Sequence, residues 1–386
     1  MLRLAQAGRL AHIGLDESRL DDVVDYVIET TRQNYPALDM PFHARWRHFK
    51  AGTRDLWAEL DAATDWPSQR ARLKAAYDLV IVSVLLDAGA GMAWRFREPV
   101  TGLDVSKSEG LGLASLTMFR NGLFSSDPAD PLRVDATRLL ALTVDELRAG
   151  FQVGPDNPMV GLDGRCSLLR RLGTHLAGKY VDQSENRRPS VLADQCLALA
   201  ARDGCLKAEA ILQAVLIELG PIWPAREGAL PHSGDVWFHP QGVPLEGWMP
   251  VVAFHKLSQW LSYSLIEPLL WTGHKVTEID GLTGLPEYRN GGLFLDLGVL
   301  TLKDQADWTR AHEASSALVI EWRALTVALL DIVAARMRAK LGLSADQLPL
   351  AKVLEGGTWA AGRRIAREKR ADGGPPLTII SDGTVF

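Results

Sequence analysis

The chain has 386 residues, 47% hydrophobic and 23% charged, a composition that excludes a mainly disordered protein and allows one large or two medium folded domains. Its formal net charge is −5, with 42 Lys and Arg against 47 Asp and Glu, so no basic surface is expected and nucleic acid is not predicted as a partner. The longest strongly apolar run, 79–86, is too short to cross a bilayer, and the first residues lack the apolar stretch of a signal peptide. We therefore expect a cytoplasmic protein without a membrane partner.

Apolar residues recur at helical spacing through most of the chain, between residues that start and stop helices. Two helices begin at sequences typical of capping boxes, Ser106 with Glu109 and Thr143 with Glu146. A β-hairpin is predicted at 234–245 with its turn at 239–242, and a short strand at 377–380. The predicted helices are 17–34, 67–94, 108–121, 144–151, 164–179, 190–203, 206–219, 250–271, 304–341 and 345–370.

No internal repeat, low-complexity tract or long run of charge interrupts this pattern, and the Pro- and Gly-rich segments are as short as ordinary loops. The sequence therefore predicts a mainly α fold: one compact helical unit, 1–386, with a small β-hairpin or sheet element. Residues 1–130 and 131–386 are the lobes into which this unit would divide.

The sequence lacks the common signatures of metal, nucleotide and serine-hydrolase sites. It has no H-E-x-x-H, Walker A, G-x-G-x-x-G or G-x-S-x-G motif, and its three cysteines form no C-x-x-C pair. Most of its nine histidines are more than one helical turn from the next. A metal centre would have to be assembled from distant segments, so none is expected.

The first candidate site lies in the predicted helix 67–94, where an apolar run leads directly into Asp87. Within such a helix Asp87, Gly91 and Trp94 share one face, which would carry a carboxylate, a bare stretch of backbone and an aromatic plate. Glycine costs a helix about 1 kcal/mol relative to alanine, so a ligand or another helix is expected to approach closely here. The alternative is helix packing, with Asp87 capping a neighbouring element.

Two further helices carry polar residues among apolar ones. In 250–271, Lys256 and Gln259 belong to a polar stripe that is either a ligand-binding face or the solvated side of an amphipathic helix. In 304–341, Glu321 and Arg323 interrupt a long apolar stretch. Glu321 is therefore expected to be buried and paired with a nearby Arg, and a purely structural ion pair is the alternative.

The segment 284–292 is rich in Pro and Gly and is predicted to be an irregular loop. It carries an acid, a phenol and a guanidinium at Glu287, Tyr288 and Arg289. Loops held by a rigid scaffold often carry catalytic groups, whereas a solvated turn is the plainer interpretation.

Four segments together resemble a known family: Arg45-Trp46-Arg47-His48-Phe49, 86–91, 108–111 and the ending 381–386. From Pro41 onward the chain is similar to the uracil-catabolism protein 4 family. That resemblance implies a pathway in which uracil passes through a ribosylated intermediate to urea. It also implies two companion proteins, one resembling GTP cyclohydrolase II and one a uracil phosphoribosyltransferase.

A weaker resemblance connects the chain to the queuosine 5′-phosphate nucleosidases, helical enzymes that cleave an N-glycosidic bond. It implies a fold like that of those nucleosidases and the helical DNA glycosylases. Glu stands at 287 where that family has Asp, and Asn290-Gly291-Gly292 replaces a Leu-Pro, so specificity for queuine is not implied. The matching blocks are 87–94, 234–236, 254–259, 287–289 followed by 297–300, and 321–323.

The nucleosidase resemblance implies a set of roles. Glu287 would stabilise an oxocarbenium-like sugar and orient a water molecule, and Asp87 would hold the leaving group or a ribose hydroxyl. Lys256, with Arg289 second, would bind a 5′-phosphate, and Trp94 and Tyr288 would form flat walls. The other substrate-binding candidates are Gln259, Asp235, Glu321 and Arg323.

The expected substrate is a small phosphorylated ribosyl compound, a ribosylurea 5′-phosphate or close derivative, which would give urea and ribose 5-phosphate without a metal or organic cofactor. For this activity Asp87, Lys256, Gln259, Glu287 and Arg289 would have to converge on one pocket. Two alternatives remain. One is an amide or ureide ring-opening hydrolase, which normally needs a metal bound by several His and Asp; the other is a non-catalytic partner of the pathway enzymes.

Overall fold

A computed structural model describes residues 1–183 and 187–380, without the side chain of Asp203. The predicted fold class is confirmed: the protein is mainly α-helical, with small separate two-stranded sheets. Among the described residues, no helix combines the length and the apolar character that crossing a bilayer requires. The α-helices are Leu2–Gln6, Leu20–Asn34, Leu56–Ala63, Gln69–Leu85, Lys107–Arg120, Ala136–Ala141, Val144–Gly150, Leu162–Lys179, Val191–Asp203, Ala208–Leu219, Lys256–Trp271, Tyr288–Asp296, Ala317–Leu341, Leu350–Val353 and Trp359–Lys369.

The strands pair two by two. Four pairs are antiparallel: Ile13–Leu15 with Leu300–Leu302, Lys50–Ala51 with Arg54–Asp55, Phe96–Arg97 with Asp104–Val105, and Val236–Leu245 with Trp248–Ala253. Two are parallel: Ala311–Glu313 with Thr378–Ile380, and Leu206–Lys207 with Val276–Thr277. The last strand predicted from the sequence is therefore confirmed.

The described residues form two compact units, each assembled from separate stretches of chain. The first unit comprises 1–43, 225–259 and 278–380. The second comprises 44–224 and 260–277.

In the first unit, the long helix Ala317–Leu341 packs against Leu20–Asn34 and Tyr288–Asp296. Helix Leu20–Asn34 buries Val23, Val24 and Val27, at the spacing that places apolar residues on one face. A single π-helical turn, Leu354–Thr358, precedes helix Trp359–Lys369, so the predicted helix 345–370 is not continuous.

In the second unit, helix Gln69–Leu85 is buried along its whole C-terminal half. The helix ends at Leu85 because the buried guanidinium of Arg165 takes the backbone carbonyl oxygens that follow. Arg165 donates to the oxygens of Leu86 at 3.0 Å and Ala88 at 2.6 Å. The predicted helix 67–94 was therefore too long, and 87–94 is not a helical face.

Five other predicted features differ from the structure. The turn of the hairpin lies at 246–247 and not at 239–242, so the predicted helix 250–271 begins only at Lys256. Residues 304–316 form a 3-10 turn and a strand, and the predicted helix 304–341 begins at Ala317. Ser106 makes no side-chain capping bond, whereas the capping box of Thr143 with Glu146 is present. The predicted loop 284–292 becomes helical at Tyr288.

Candidate functional site

The first unit contains a buried ion pair between Asp235 and Arg323. The guanidinium Nη1 donates to Oδ1 and Nη2 to Oδ2, each at 2.7 Å. Arg323 is 1% exposed, and its Cζ lies 4.1 Å from the centre of the Phe254 ring. Two parallel charge-assisted hydrogen bonds fix both side chains in one orientation.

The carboxylate of Asp235 also holds the start of helix Lys256–Trp271. Its Oδ2 accepts the N–H of Lys256 at 3.0 Å, and its Oδ1 accepts the indole N–H of Trp237 at 2.6 Å. Burial alone would raise the pKa of Asp235, but the charge and hydrogen bonds of Arg323 lower that pKa to about 2. The carboxylate is therefore ionised at neutral pH, where it positions the backbone of Lys256.

The same helix contacts the segment that precedes Glu287. The Oε1 of Gln259, a residue only 5% exposed, accepts the N–H of Thr283 at 3.1 Å. Arg323 Nε donates to the carbonyl oxygen of Pro286 at 3.3 Å. Residues 235, 256–259, 283–287 and 323 are thus neighbours in the first unit, although the chain separates them widely.

Glu287 is the N-cap of helix Tyr288–Asp296. Its Oε2 accepts the N–H of Arg289 at 2.9 Å and its Oε1 the N–H of Asn290 at 2.6 Å. Its side chain is half-buried. A carboxyl group here satisfies two backbone donors at the helix N-terminus, so the Glu287 side chain is held in one orientation.

Arg289, two residues later, is 8% exposed and lies against two aromatic rings. Its Cζ is 5.1 Å from the centre of the Tyr288 ring and 5.4 Å from that of Trp359. A Cβ on Gly362 would lie 2.3 Å from the carbonyl oxygen of Arg289, so glycine allows the two helices to pack closely at this point. Within the described part of the chain, the Arg289 guanidinium has no hydrogen bond or ion pair. It therefore has donors to offer an anion.

Glu321 is buried as predicted, but its partners are not arginines. It is 1% exposed, and its carboxylate accepts the backbone N–H groups of Ala11, His12 and Ile13 at 3.0–3.2 Å. These bonds hold the N-terminal strand. The expectation of an arginine partner was wrong because unpaired backbone donors at this strand take the carboxylate instead.

In the second unit, Asp87 pairs with Arg45. Its Oδ1 lies 2.9 Å from Arg45 Nη1, and its Oδ2 accepts the hydroxyl of Ser108 at 2.5 Å. Arg45 is fully buried and also donates from Nε to Ser83 at 2.6 Å. Three of the segments that carry the first resemblance therefore meet at one carboxylate.

Trp94 lies in the core of the second unit. It is 0% exposed, its indole N–H donates to the carbonyl oxygen of Phe151 at 2.9 Å, and its ring meets that of Phe151 edge to face. This geometry gives Trp94 a packing role.

Replacing Trp94 by Phe is expected to lower the free energy of unfolding by about 1–3 kcal/mol, because the carbonyl of Phe151 loses its donor and the smaller ring leaves a cavity. Urea denaturation followed by circular dichroism measures this. Trp248→Phe, at a 52% exposed position, is the matched control and should change the free energy of unfolding by less than about 0.5 kcal/mol. A Trp94→Phe protein as stable as the parent would contradict the packing role.

The structure divides the ten predicted site residues between the two units. Asp87 and Trp94 belong to the second unit. The other eight belong to the first: Lys256, Gln259, Glu287, Tyr288, Arg289, Asp235, Glu321 and Arg323. Of these, the carboxylate of Glu321 faces the N-terminal strand. No group of three or more His, Cys, Asp or Glu among residues 1–183 and 187–380 is placed to hold a metal ion.

Three residues of the first unit, His255, His43 and Trp359, were not predicted as site residues. His255 has a left-handed backbone (φ 49°), and burial lowers the pKa of its imidazole despite the nearby charge of Asp235. Strained non-glycine backbone of this kind is concentrated at functional sites. His43 lies 2.6 Å from the carboxylate of Glu355, and its ring is 5.6 Å from that of Trp359. Only His255 had a sequence signal, since it lies inside a matched block.

Comparison with known proteins gives matches over the whole chain. A family model described as "Protein of unknown function (DUF1688)" matches residues 1–386. "Protein urg3" of Schizosaccharomyces pombe is 38% identical over 399 residues, which cover 100% of this chain and 95% of that protein. "Uracil catabolism protein 4" of Lachancea kluyveri is 35% identical over 417 residues, with 98% and 93% covered. These matches confirm the first resemblance; its last segment, 381–386, lies outside the described residues.

Proposed function

This chain belongs to the family described as protein of unknown function (DUF1688), and on that premise we propose that it hydrolyses the N-glycosidic bond of a ribosylated 5′-phosphate in uracil catabolism. The pathway follows from the name of the relative called uracil catabolism protein 4. The reaction follows from the resemblance to N-glycoside-cleaving nucleosidases. One structural observation supports it most: an anchored carboxylate, Glu287, stands two residues from the buried guanidinium of Arg289.

Cleavage of the N-riboside of a 5′-phosphate needs both a carboxylate and a cation. As the C–N bond breaks, positive charge develops on the sugar, and a nearby carboxylate stabilises it and orients the attacking water. The bond electrons and a proton go to the leaving nitrogen, and the water oxygen joins the anomeric carbon. A cation would hold the 5′-phosphate, which keeps the anomeric carbon beside Glu287. With a ribosylurea 5′-phosphate the products are urea and ribose 5-phosphate.

The activity is tested by incubating the protein with ribosylurea 5′-phosphate and, separately, with uridine monophosphate. Urea, uracil and ribose 5-phosphate are then assayed. We expect urea and ribose 5-phosphate from the first compound. Formation of uracil from uridine monophosphate would show that the leaving group is the intact base. The absence of all three products would reject the glycosidase activity.

Lys256→Ala and Arg289→Met are expected to weaken binding of the phosphorylated substrate by about 10–100-fold, because each removes a charged donor worth about 1.5–3 kcal/mol. Binding of the ribosyl compound without phosphate should change little. Isothermal titration calorimetry with both compounds measures the difference. Lys340→Ala, which removes an exposed lysine paired with Asp25 at 2.6 Å, is the control. An equal loss for both compounds would reject the phosphate role.

A second candidate function, a non-catalytic partner of another pathway enzyme, is favoured by the hairpin Val236–Leu245 with Trp248–Ala253. Near its turn it exposes large apolar side chains, with Val243 70%, Trp248 52% and Met249 56% exposed. Contiguous exposed apolar surface often marks an interface between proteins. The turnover assay separates the two functions, because a binding partner alone forms no urea.

A further inference from the structure

The second unit contains a cavity of about 300 Å³ whose walls include the indoles of Trp46, Trp57 and Trp271. None of these residues has a role in the proposed hydrolysis. We propose that this cavity is a separate binding site for a planar, uncharged heterocycle that carries carbonyl oxygens, the chemistry of a pyrimidine base. The proposal does not depend on the hydrolase function.

The shape of the cavity favours a flat ligand. Trp57 and Trp271 lie nearly parallel, at an interplanar angle of 21° with ring centres 6.5 Å apart, and Trp46 meets Trp271 at 67° with centres 4.7 Å apart. Trp46 is fixed because its indole N–H donates to the carbonyl oxygen of Ser264 at 2.7 Å. Trp46 and Trp57 are 2% and 4% exposed, and Trp271 is only half-buried. Trp271 is therefore the indole that a ligand can reach, and Trp46 and Trp57 hold it in place; a rigid aromatic wall stacks on a heterocycle with little loss of conformational entropy.

The charges of the lining favour an uncharged ligand. Arg47 pairs with Glu267 at 2.6 Å, and Arg72 Nε donates to Asp61 at 2.7 Å. Asp55 also lines the cavity and gives it a slight excess of negative charge. A phosphate would therefore be repelled, and a cation would have to compete with arginines that are already in place.

One residue of the lining, Arg47, has a hydrogen-bond donor without an acceptor among the described residues. Arg47 Nε is buried and, within the described part of the chain, has no hydrogen-bond partner. A buried donor without an acceptor is costly, and a ligand that supplies one removes that cost. The Arg47 side chain is 21% exposed, so turning its Nε toward the cavity would let a carbonyl oxygen at the edge of the heterocycle accept this N–H while the ring lies against Trp271. The relative named for uracil catabolism makes uracil the natural probe.

The experiment titrates the full-length protein with uracil, followed by isothermal titration calorimetry and by indole fluorescence. We expect saturable binding that quenches the fluorescence and that neither tetramethylammonium nor inorganic phosphate displaces. Arg47→Lys keeps the charge beside Glu267 but lacks the Nε donor, and should weaken uracil binding at least about 10-fold. Trp271→Leu should abolish the quenching, and Trp248→Leu, at an exposed position outside the cavity, should leave both signals unchanged.

The proposal would be overturned by the absence of uracil binding, by displacement of uracil with tetramethylammonium or phosphate, or by an Arg47→Lys protein that binds uracil like the parent. If Trp271→Leu does not fold, Arg47→Lys alone decides. Glu287→Gln and Arg289→Met separate this site from the hydrolytic one. We expect both variants to retain uracil binding. If these two variants lose uracil binding while Arg47→Lys keeps it, uracil binds in the first unit and the cavity is rejected. Failure of the hydrolase assay with intact uracil binding would leave this site standing.

Discussion

Replacing Glu287 by Gln is expected to lower kcat by about 10²–10⁴-fold, whereas the affinity for substrate should change little. Gln has the same shape but no charge, so it cannot stabilise the positive sugar of the transition state. The variant should therefore bind intact ribosylurea 5′-phosphate and hold it. Single-turnover kinetics gives the chemical step, and calorimetry gives the affinity for the substrate.

The structure adds a cost in stability that a loop residue would not have. Because both oxygens of Glu287 accept backbone N–H groups, Gln keeps one acceptor and loses the other together with its charge at the helix N-terminus. We expect the free energy of unfolding to fall by about 0.5–2 kcal/mol. This expected loss of stability is larger than the one expected for a residue of a solvated loop.

A matched variant separates capping from chemistry. Ser316 caps helix Ala317–Leu341 through its side chain, which accepts the N–H of Val319 at 3.4 Å. Ser316→Ala should lower stability by a similar amount and leave kcat at the parent value. If Glu287→Gln behaves like Ser316→Ala, with reduced stability and parental turnover, the residue is only a helix cap. The catalytic role proposed for Glu287 would then be rejected.

One of the two predicted capping boxes, a feature of neighbouring residues, is present, whereas Ser106 at the same spacing from Glu109 makes no capping bond. The capping box of Thr143 with Glu146 forms because its two hydrogen bonds join residues three apart. The end of helix Gln69–Leu85 could not be predicted from the sequence, since it depends on Arg165, which lies far along the chain. The position of the hairpin was predicted wrongly because its second strand, Trp248–Ala253, is as apolar as the helix that follows it, and part of that strand was assigned to the helix.

The candidate site shows the same division. The block resemblance selected Asp235 and Arg323, which pair across 88 positions, although periodicity gave no sign that they meet. Burial of Glu321 followed from its apolar surroundings, but its backbone partners at 11–13 lie about 310 positions away and could not be inferred. His43 and Trp359 were missed for the same reason: their significance comes only from the side chains around Arg289.

The pair of Asp235 with Arg323 carries the largest expected effect on stability. Asp235→Asn removes the negative charge but leaves the guanidinium buried, so the free energy of unfolding should fall by about 3–5 kcal/mol. Arg323→Met together with Asp235→Asn removes both charges and should cost less than the sum of the two single changes. Urea denaturation of the three variants at pH 7 measures this. Asp25→Asn, which breaks an exposed pair with Lys340, is the control and should cost at most about 1 kcal/mol.

The same carboxylate predicts a dependence on pH. The ordinary pKa of Asp235 is 3.8, and the folded protein lowers it to about 2. A group whose pKa is lower in the folded protein stabilises the fold at pH values above its pKa in the unfolded chain. The contribution of Asp235 is therefore complete near pH 5 and is lost as the pH falls through 4 toward 2. Between pH 5 and pH 2, the free energy of unfolding of the parent should fall by about 2 kcal/mol more than that of Asp235→Asn. Asp25→Asn should follow the parent curve, and parallel curves for the parent and Asp235→Asn would show that the ion pair contributes no acid sensitivity.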